Sequence, residues 1–349
     1  MNSVIDYHQA PFLVLWEVTR ACGLACRHCR ADAQQRRSPG ELDTTQALAV
    51  LDHIRAEFGA VLVVFTGGDP LLRSDLTILI RHAADIGLRP TITPSATPLL
   101  TPWRIDDLAA AGVRRFALSV DGADAATHDD FRGVPGTFAT TCAALDHLHE
   151  RDFEIQINSS IGRHNRMQLT ELAGLVRWYG AKLWSAFLLV PTGRANSSSI
   201  GSAADHERVY RELADLSARM PFDIKTTAGQ PYYRLQAQRG NNPRAGLRAV
   251  APVNDGKGVV FIDHHGEVQP SGFLAASCGN VLQTPLAEIY RRHPLFLALR
   301  DPERLGGKCG RCEYRTQCGG SRSRAFALTG DALAADPTCV YQPAVAASW

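Results

Sequence analysis

The sequence predicts an α/β protein: a partial (β/α)6 barrel followed by a small cysteine-rich α+β domain made of a β-hairpin and a helix. Three observations carry this. Short apolar runs rich in β-branched residues alternate with longer amphipathic stretches over the first two-thirds of the 349 residues. A stretch rich in Gly, Gln, Arg and Pro breaks that rhythm near 220–252. Beyond it lie a hairpin-like segment, one clear helical segment and a group of four cysteines.

Candidate strands span 12–19, 61–67, 88–95, 114–122, 153–161 and 181–191, with helical stretches near 44–58, 74–86, 103–111, 136–150, 166–179 and 203–218. Near-continuous apolar strands separated by helices argue for a parallel sheet covered on its faces. Six such units suit an open or partial barrel, since a closed eight-unit barrel usually takes about 250 residues. The segment GVVFIDHHGEVQPSGF (258–273) reads as a hairpin with His265-Gly266 at its turn, and 285–299 as a helix. The chain then divides into 1–220, a linker or bridging region over 221–252, and 253–349.

Composition narrows the function class. A formal charge of +2, with no basic tract, gives no support to nucleic-acid binding. No run approaches the roughly 18 apolar residues of a membrane span, and MNSVIDYHQAPF lacks the charged-then-apolar pattern of a secretory signal. Nine cysteines is an odd number, and eight of them lie toward the two ends of the chain. That distribution points to a cytoplasmic protein that uses thiols for metal, not to a disulfide scaffold.

Cys22, Cys26 and Cys29 follow the first strand in C-x3-C-x2-C spacing. They therefore occupy a loop at a strand's C-terminal end, the face on which barrel active sites are assembled. Three thiolates hold three corners of a cubane iron–sulfur cluster and leave one iron free for another ligand. The alternatives at this point are zinc with a water as fourth ligand and a chance grouping of structural thiols. Two glycines then end the second strand in Thr66-Gly67-Gly68-Asp69-Pro70, where the backbone can approach a ligand closely.

TRACGLACRHCRADA (19–33) resembles the cluster loop of radical S-adenosylmethionine enzymes. The resemblance implies that the free iron chelates the methionine moiety of S-adenosylmethionine, with His28 packing near adenine. Gly67, Gly68 and Asp69 match the family's Gly-Gly-Glu-Pro segment, which binds the methionine amino group, with Asp in place of Glu. Ser95 (in Pro94-Ser95-Ala96-Thr97) is implied at the ribose or carboxylate, and Ser119 and Asp121 (in Ser119-Val120-Asp121-Gly122) at the cofactor. Asn158 and Arg194 fall where relatives contact ribose and adenine. His128-Asp129-Asp130-Phe131-Arg132-Gly133 resembles a further downstream signature, although its charges suit simple helix capping as well. The order is the signal, for each motif ends a successive strand.

Cys309, Cys312, Cys318 and Cys339 have C-x2-C-x5-C-x20-C spacing, which suits either a cubane cluster or a tetrahedral zinc. The context resembles the SPASM or twitch domain of the same family, which implies one auxiliary [4Fe-4S] cluster here. Ser271 and Arg322 stand where two-cluster relatives place cysteines, so a second auxiliary cluster is not expected. Cys278 and Cys142 read as buried structural thiols.

The resemblance implies an enzyme that cleaves S-adenosylmethionine to a 5′-deoxyadenosyl radical, with an electron from a flavodoxin or ferredoxin. That radical abstracts hydrogen from a small-molecule or peptide substrate, and the auxiliary cluster assists electron transfer. The run PFLVLWEVTRAC is similar to the tetrapyrrole-modifying and mycofactocin branches. A short stretch of about 11 residues before the first strand leads us to expect a compact substrate, with peptide cross-linking or epimerisation as the alternative. Glu17, Arg194, Tyr232 and Tyr233 are substrate-side candidates by position. A non-catalytic electron carrier or zinc scaffold is the reading from another class.

Overall fold

A computed structural model describes residues 6–240 and 252–344. Seven parallel strands run in chain order across one sheet: β1 (Leu13–Glu17), β2 (Leu62–Thr66), β3 (Arg89–Ile92), β4 (Arg115–Ser119), β5 (Glu154–Ile161), β6 (Leu183–Leu188) and β7 (Asp223–Thr227). Between them lie α1 (Thr44–Phe58), α2 (Leu76–Asp85), α3 (Pro102–Ala110), α4 (Ala125–Arg132), α5 (Thr137–Glu150), α6 (Leu169–Trp178) and α7 (Ala203–Arg219), with α8 (Pro231–Gln238) after β7.

The period-2 pattern of each strand builds the two faces. Val14, Trp16, Val63, Phe65, Phe116, Leu118, Ile155, Ile157 and Trp184 join one apolar core beneath the helices. Full burial of a residue such as Phe65 or Phe116 contributes about 1.5–3 kcal/mol. The alternate residues face the concave side, where Ser119, Asn158, Ser185 and Lys225 are register partners along one row. Local signals fix the helix starts: Asp43 and Gln46 form a capping box on α1, and Ser202 and Asp205 form one on α7.

The fold is the expected partial barrel, with differences. Six units were expected and a seventh strand, β7, lies inside the 221–252 segment read as a linker. Its Asp223, Lys225 and Thr227 alternate with Ile224 and Thr226, so too few apolar residues mark it as a strand. Part of that segment, 241–251, lies outside the described residues. The hairpin is present as β8 (Val259–Ile262) and β9 (Val268–Gln269), with Gly266 at φ 86° in its turn. It does not stand apart, because β8 pairs parallel with β1 from Leu13↔Val259 to Trp16↔Ile262. The sheet order is therefore β7-β6-β5-β4-β3-β2-β1-β8-β9.

The single helix expected over 285–299 is two, α9 (Leu286–Arg292) and α10 (Pro294–Arg300), because Pro294 forces His293 out of helical geometry, to ψ 131°. The short helices α11 (Gly307–Gly310) and α12 (Arg322–Thr329) complete the C-terminal part. Among the described residues no helix is long and apolar enough to cross a membrane.

Candidate active site

The cysteine loop after β1 is held by backbone bonds that do not involve its thiols. Gly68 N–H donates to Thr19 O (2.8 Å) and Asp69 N–H to Ala21 O (2.6 Å). Arg27 N–H donates to Phe131 O (3.0 Å), and Arg194 N–H to Cys29 O (3.0 Å). The two glycines thus approach the loop's own backbone. A Cβ at Gly68 would stand 2.3 Å from Ala21 O, and one at Gly67 2.5 Å from Thr19 O. Gly68→Ala should therefore cost about 1–3 kcal/mol by overpacking and lower iron uptake. Urea unfolding of the apo chain checks the first, and iron analysis after reconstitution the second.

Several donors point at the three thiols. Leu24 N–H lies 3.3 Å from Cys22 Sγ, Ala33 N–H 3.3 Å from Cys29 Sγ, and Arg132 Nη1 3.9 Å from Cys26 Sγ. Hydrogen bonds to cluster thiolates are one of the levers that set reduction potential. Burial raises the free Cys22 and Cys26 thiols above their ordinary pKa. A metal's charge is what turns such thiols into ligands. The donor set therefore fits an iron–sulfur cluster.

Helix α4 braces this loop. Asp121, at the end of β4, has no exposed surface; its Oδ1 accepts from Ser160 N (2.6 Å) and its Oδ2 pairs with Arg132 Nη2 at 2.5 Å. Burial works to raise Asp121, but Arg132 holds it down at about 2. His28 stacks on Phe131 with centroids 4.0 Å apart, and Phe131 stacks on His164 at 3.6 Å. Burial pushes His28 down to about 3, so it is a neutral aromatic plate. The His128–Gly133 segment does more than cap. Asp129 does accept from the N–H groups of Gly136 and Phe138 before and within α5. His128, however, accepts from Asp121 N (3.1 Å), and Gly133 at φ 72° packs on Ala25.

The remaining expected residues divide. Asp69 spends its carboxylate inside the protein, accepting from Leu71 N, Ser95 N and Thr97 Oγ1 (2.8 Å), and burial raises its pKa. Ser95 Oγ donates to Gly68 O (3.0 Å) and lies 3.7 Å from Cys22 Sγ. Asn158 Oδ1 accepts from Gln156. Ser119 lines a small cavity with Leu24, Ala96, His128 and Arg132. Arg194 donates Nη1 to Ala33 O, while its buried Nε and Nη2 have no partner among the described residues. Glu17 stands at the end of β1 but is paired with Arg30 and His264, each at 2.8 Å. Tyr232 is not on the substrate side, for it packs into the apolar core with its hydroxyl accepting from Gln236; Tyr233 packs edge-on against it. Sequence reasoning missed Arg30, His164 and His264, and it quoted Arg132 without its role. Their partners are distant in sequence, and only the adjacency of Arg30 to Cys29 was a local hint.

Cys309, Cys312, Cys318 and Cys339 line one cavity, together with Lys308, Gly319, Gly320 and Tyr341. Asp336 N–H and Gly320 N–H each lie 3.4 Å from a thiol, Cys309 and Cys318 respectively. Arg322 is fully buried, donating to the carbonyls of Ala332 and Ala334 and reaching Cys309 Sγ at 3.6 Å. Ser271 is engaged by Asp255. Cys278 sits in the core, its thiol toward Ala276 O, and burial pushes it up to about 12. Cys142 packs against that core.

Residues 16–176 match the radical SAM superfamily. The AdoMet-dependent heme synthase of Nitratidesulfovibrio vulgaris is 41% identical over 344 residues, covering 95% of this chain and 92% of that protein. The pre-heme d1 synthase of Dinoroseobacter shibae is 33% identical, covering 94% and 85%. In fold, the chain is similar to Streptococcus suis SuiB bound to S-adenosylmethionine, with a TM-score of 0.72 at 16% identity over 95% of this chain and 78% of that one. The chain belongs to the radical SAM superfamily. It is an enzyme of that class, and its cofactors are a [4Fe-4S] cluster and S-adenosylmethionine.

Proposed function

We propose that this enzyme oxidatively decarboxylates side chains of an iron tetrapyrrole in the formation of a heme. The observation that carries the reading is the end-to-end identity with a protein named as a heme synthase. Cys22, Cys26 and Cys29 would hold the cluster that binds S-adenosylmethionine. Cys309, Cys312, Cys318 and Cys339 would hold an auxiliary [4Fe-4S] cluster able to exchange single electrons. With S-adenosylmethionine bound, the first cluster supplies a 5′-deoxyadenosyl radical.

The chain's own residues position and enclose. Gly67, Gly68, Asp69 and Ser95 form the wall beside the cysteine loop. His28, Ser119, Asp121, Asn158 and Arg194 frame the adenosyl side, where the buried Arg194 Nε and Nη2, without partners among the described residues, supply polar contacts. On the substrate, a propionate loses a hydrogen atom from the carbon β to its carboxylate. The bond to the carboxylate then breaks, carbon dioxide leaves, a vinyl double bond forms and one electron departs to an acceptor. A flavodoxin or ferredoxin in the cytoplasm is the electron donor this chemistry calls for.

Anaerobic reconstitution tests the reading. We expect about eight irons and eight sulfides per chain, four from each cubane, and 5′-deoxyadenosine formed with iron coproporphyrin as that porphyrin loses carbon dioxide. Iron binding without any 5′-deoxyadenosine would overturn the reading.

A further inference from the structure

The geometry points to Arg30 as the anchor for a carboxylate of the substrate, an inference that rests on the tetrapyrrole reading. Arg30 directly follows Cys29 and is held on three sides. Its Nη2 pairs with Glu17 Oε2 at 2.8 Å, and Glu17, itself 3% exposed, is held through Oε1 by His264 Nδ1 at 2.8 Å. The Arg30 guanidinium carbon stands 4.6 Å from the Phe261 ring centroid. Gly272 closes the third side, where a Cβ would lie 2.9 Å from Arg30 Cδ.

One edge of the guanidinium remains for another molecule. Beyond the Nη2 pair with Glu17, no hydrogen bond of Arg30 is found among the described residues, so the end-on edge formed by Nη1 and the second N–H of Nη2 has no partner there, and the side chain keeps 18% of its surface exposed. Glu17 is shared with His264, so it does not complete the arginine's hydrogen bonding. A planar fork fixed in direction by an ion pair and an aromatic face suits bidentate capture of a carboxylate. The surroundings suit a flat apolar ring. Phe261 lies beneath Arg30, and Phe273 of the neighbouring turn meets Phe187 of β6 with centroids 6.1 Å apart. A tetrapyrrole offers both features, an apolar plane and peripheral carboxylates.

The test is a Soret-band titration of the reconstituted enzyme with iron coproporphyrin and, separately, with its methyl ester, in which the carboxylates are masked. We expect Arg30→Gln to weaken binding of the free acid by about tenfold or more, the scale of a lost charge-assisted hydrogen bond, and to bind the ester as wild type does. Arg30→Lys keeps a cation for Glu17 but lacks the fork, so its affinity for the acid should fall between the two. It also carries the comparison if the Gln variant fails to fold, as judged by far-UV spectrum and iron content. Unchanged affinity for the acid overturns the inference, as does an equal loss for acid and ester, which would mark Arg30 as only a clamp on the cysteine loop. Wild type that binds neither porphyrin overturns the tetrapyrrole reading and this inference together.

Discussion

Serine at Cys26 is expected to abolish 5′-deoxyadenosine formation while leaving the chain folded. The loop's shape comes from backbone bonds to Gly68, Asp69, Phe131 and Arg194, none of which needs a thiol. A hydroxyl in place of the thiol is a poor ligand for a cluster, and two remaining cysteines cannot supply three corners. Iron content should fall by about four atoms per chain, and product should fall below detection in a reduced, anaerobic assay. Cys309→Ser makes the informative contrast. It should lose a similar amount of iron yet still cleave S-adenosylmethionine, because Cys309 lies on a different cavity. Equal loss of cleavage in both variants would contradict the division of labour proposed between the two cysteine groups.

Arg132→Leu is expected to produce the largest loss of stability. Arg132 pairs with Asp121, whose carboxylate is entirely buried. Removing one partner of such a pair leaves a buried charge uncompensated, which costs about 3–5 kcal/mol. Relaxation lets Asp121 take up a proton, so its pKa, now held down at about 2, should rise sharply. The sign follows from linkage. A carboxylate depressed in the folded state stabilises it above the unfolded pKa, and that contribution is lost as pH falls toward the folded value. In the variant this contribution disappears at neutral pH. Urea unfolding of the apo chain should show the loss, and Asp121→Asn combined with Arg132→Leu should recover part of it, since no charge is then left alone. A midpoint unchanged by Arg132→Leu would show that the pair does not support the fold.

The parts of this protein that were legible in its sequence are those written in local spacing. The cysteine groups, the strand-end motifs and the alternation of strand with helix all depend on neighbours within a few tens of residues. Strand β7 was hidden because it borders the barrel's polar interior. Lys225 and Asp223 break the apolar run, leaving Ile224 as its one aliphatic residue. The roles within His128–Gly133 were hidden for another reason. Asp129 caps locally, as expected, but Phe131 and Arg132 act on residues 28, 121 and 26, and no periodicity reports such long-range pairing. Glu17 was recognised by position, whereas its partners came from loops separated from it by 13 and 247 residues.

The parallel pairing of β8 with β1 joins the hairpin to the barrel through a ladder of backbone hydrogen bonds. Two bodies tied by a flexible segment can swing apart. A shared sheet removes that freedom for the hairpin and fixes its place beside β1 and the cysteine loop that follows β1. It also conceals the outer edge of β1, which would otherwise present unpaired amides and carbonyls to any passing strand. The segment that follows the barrel in sequence is thus its selvedge, finishing an edge that would otherwise fray into aggregates.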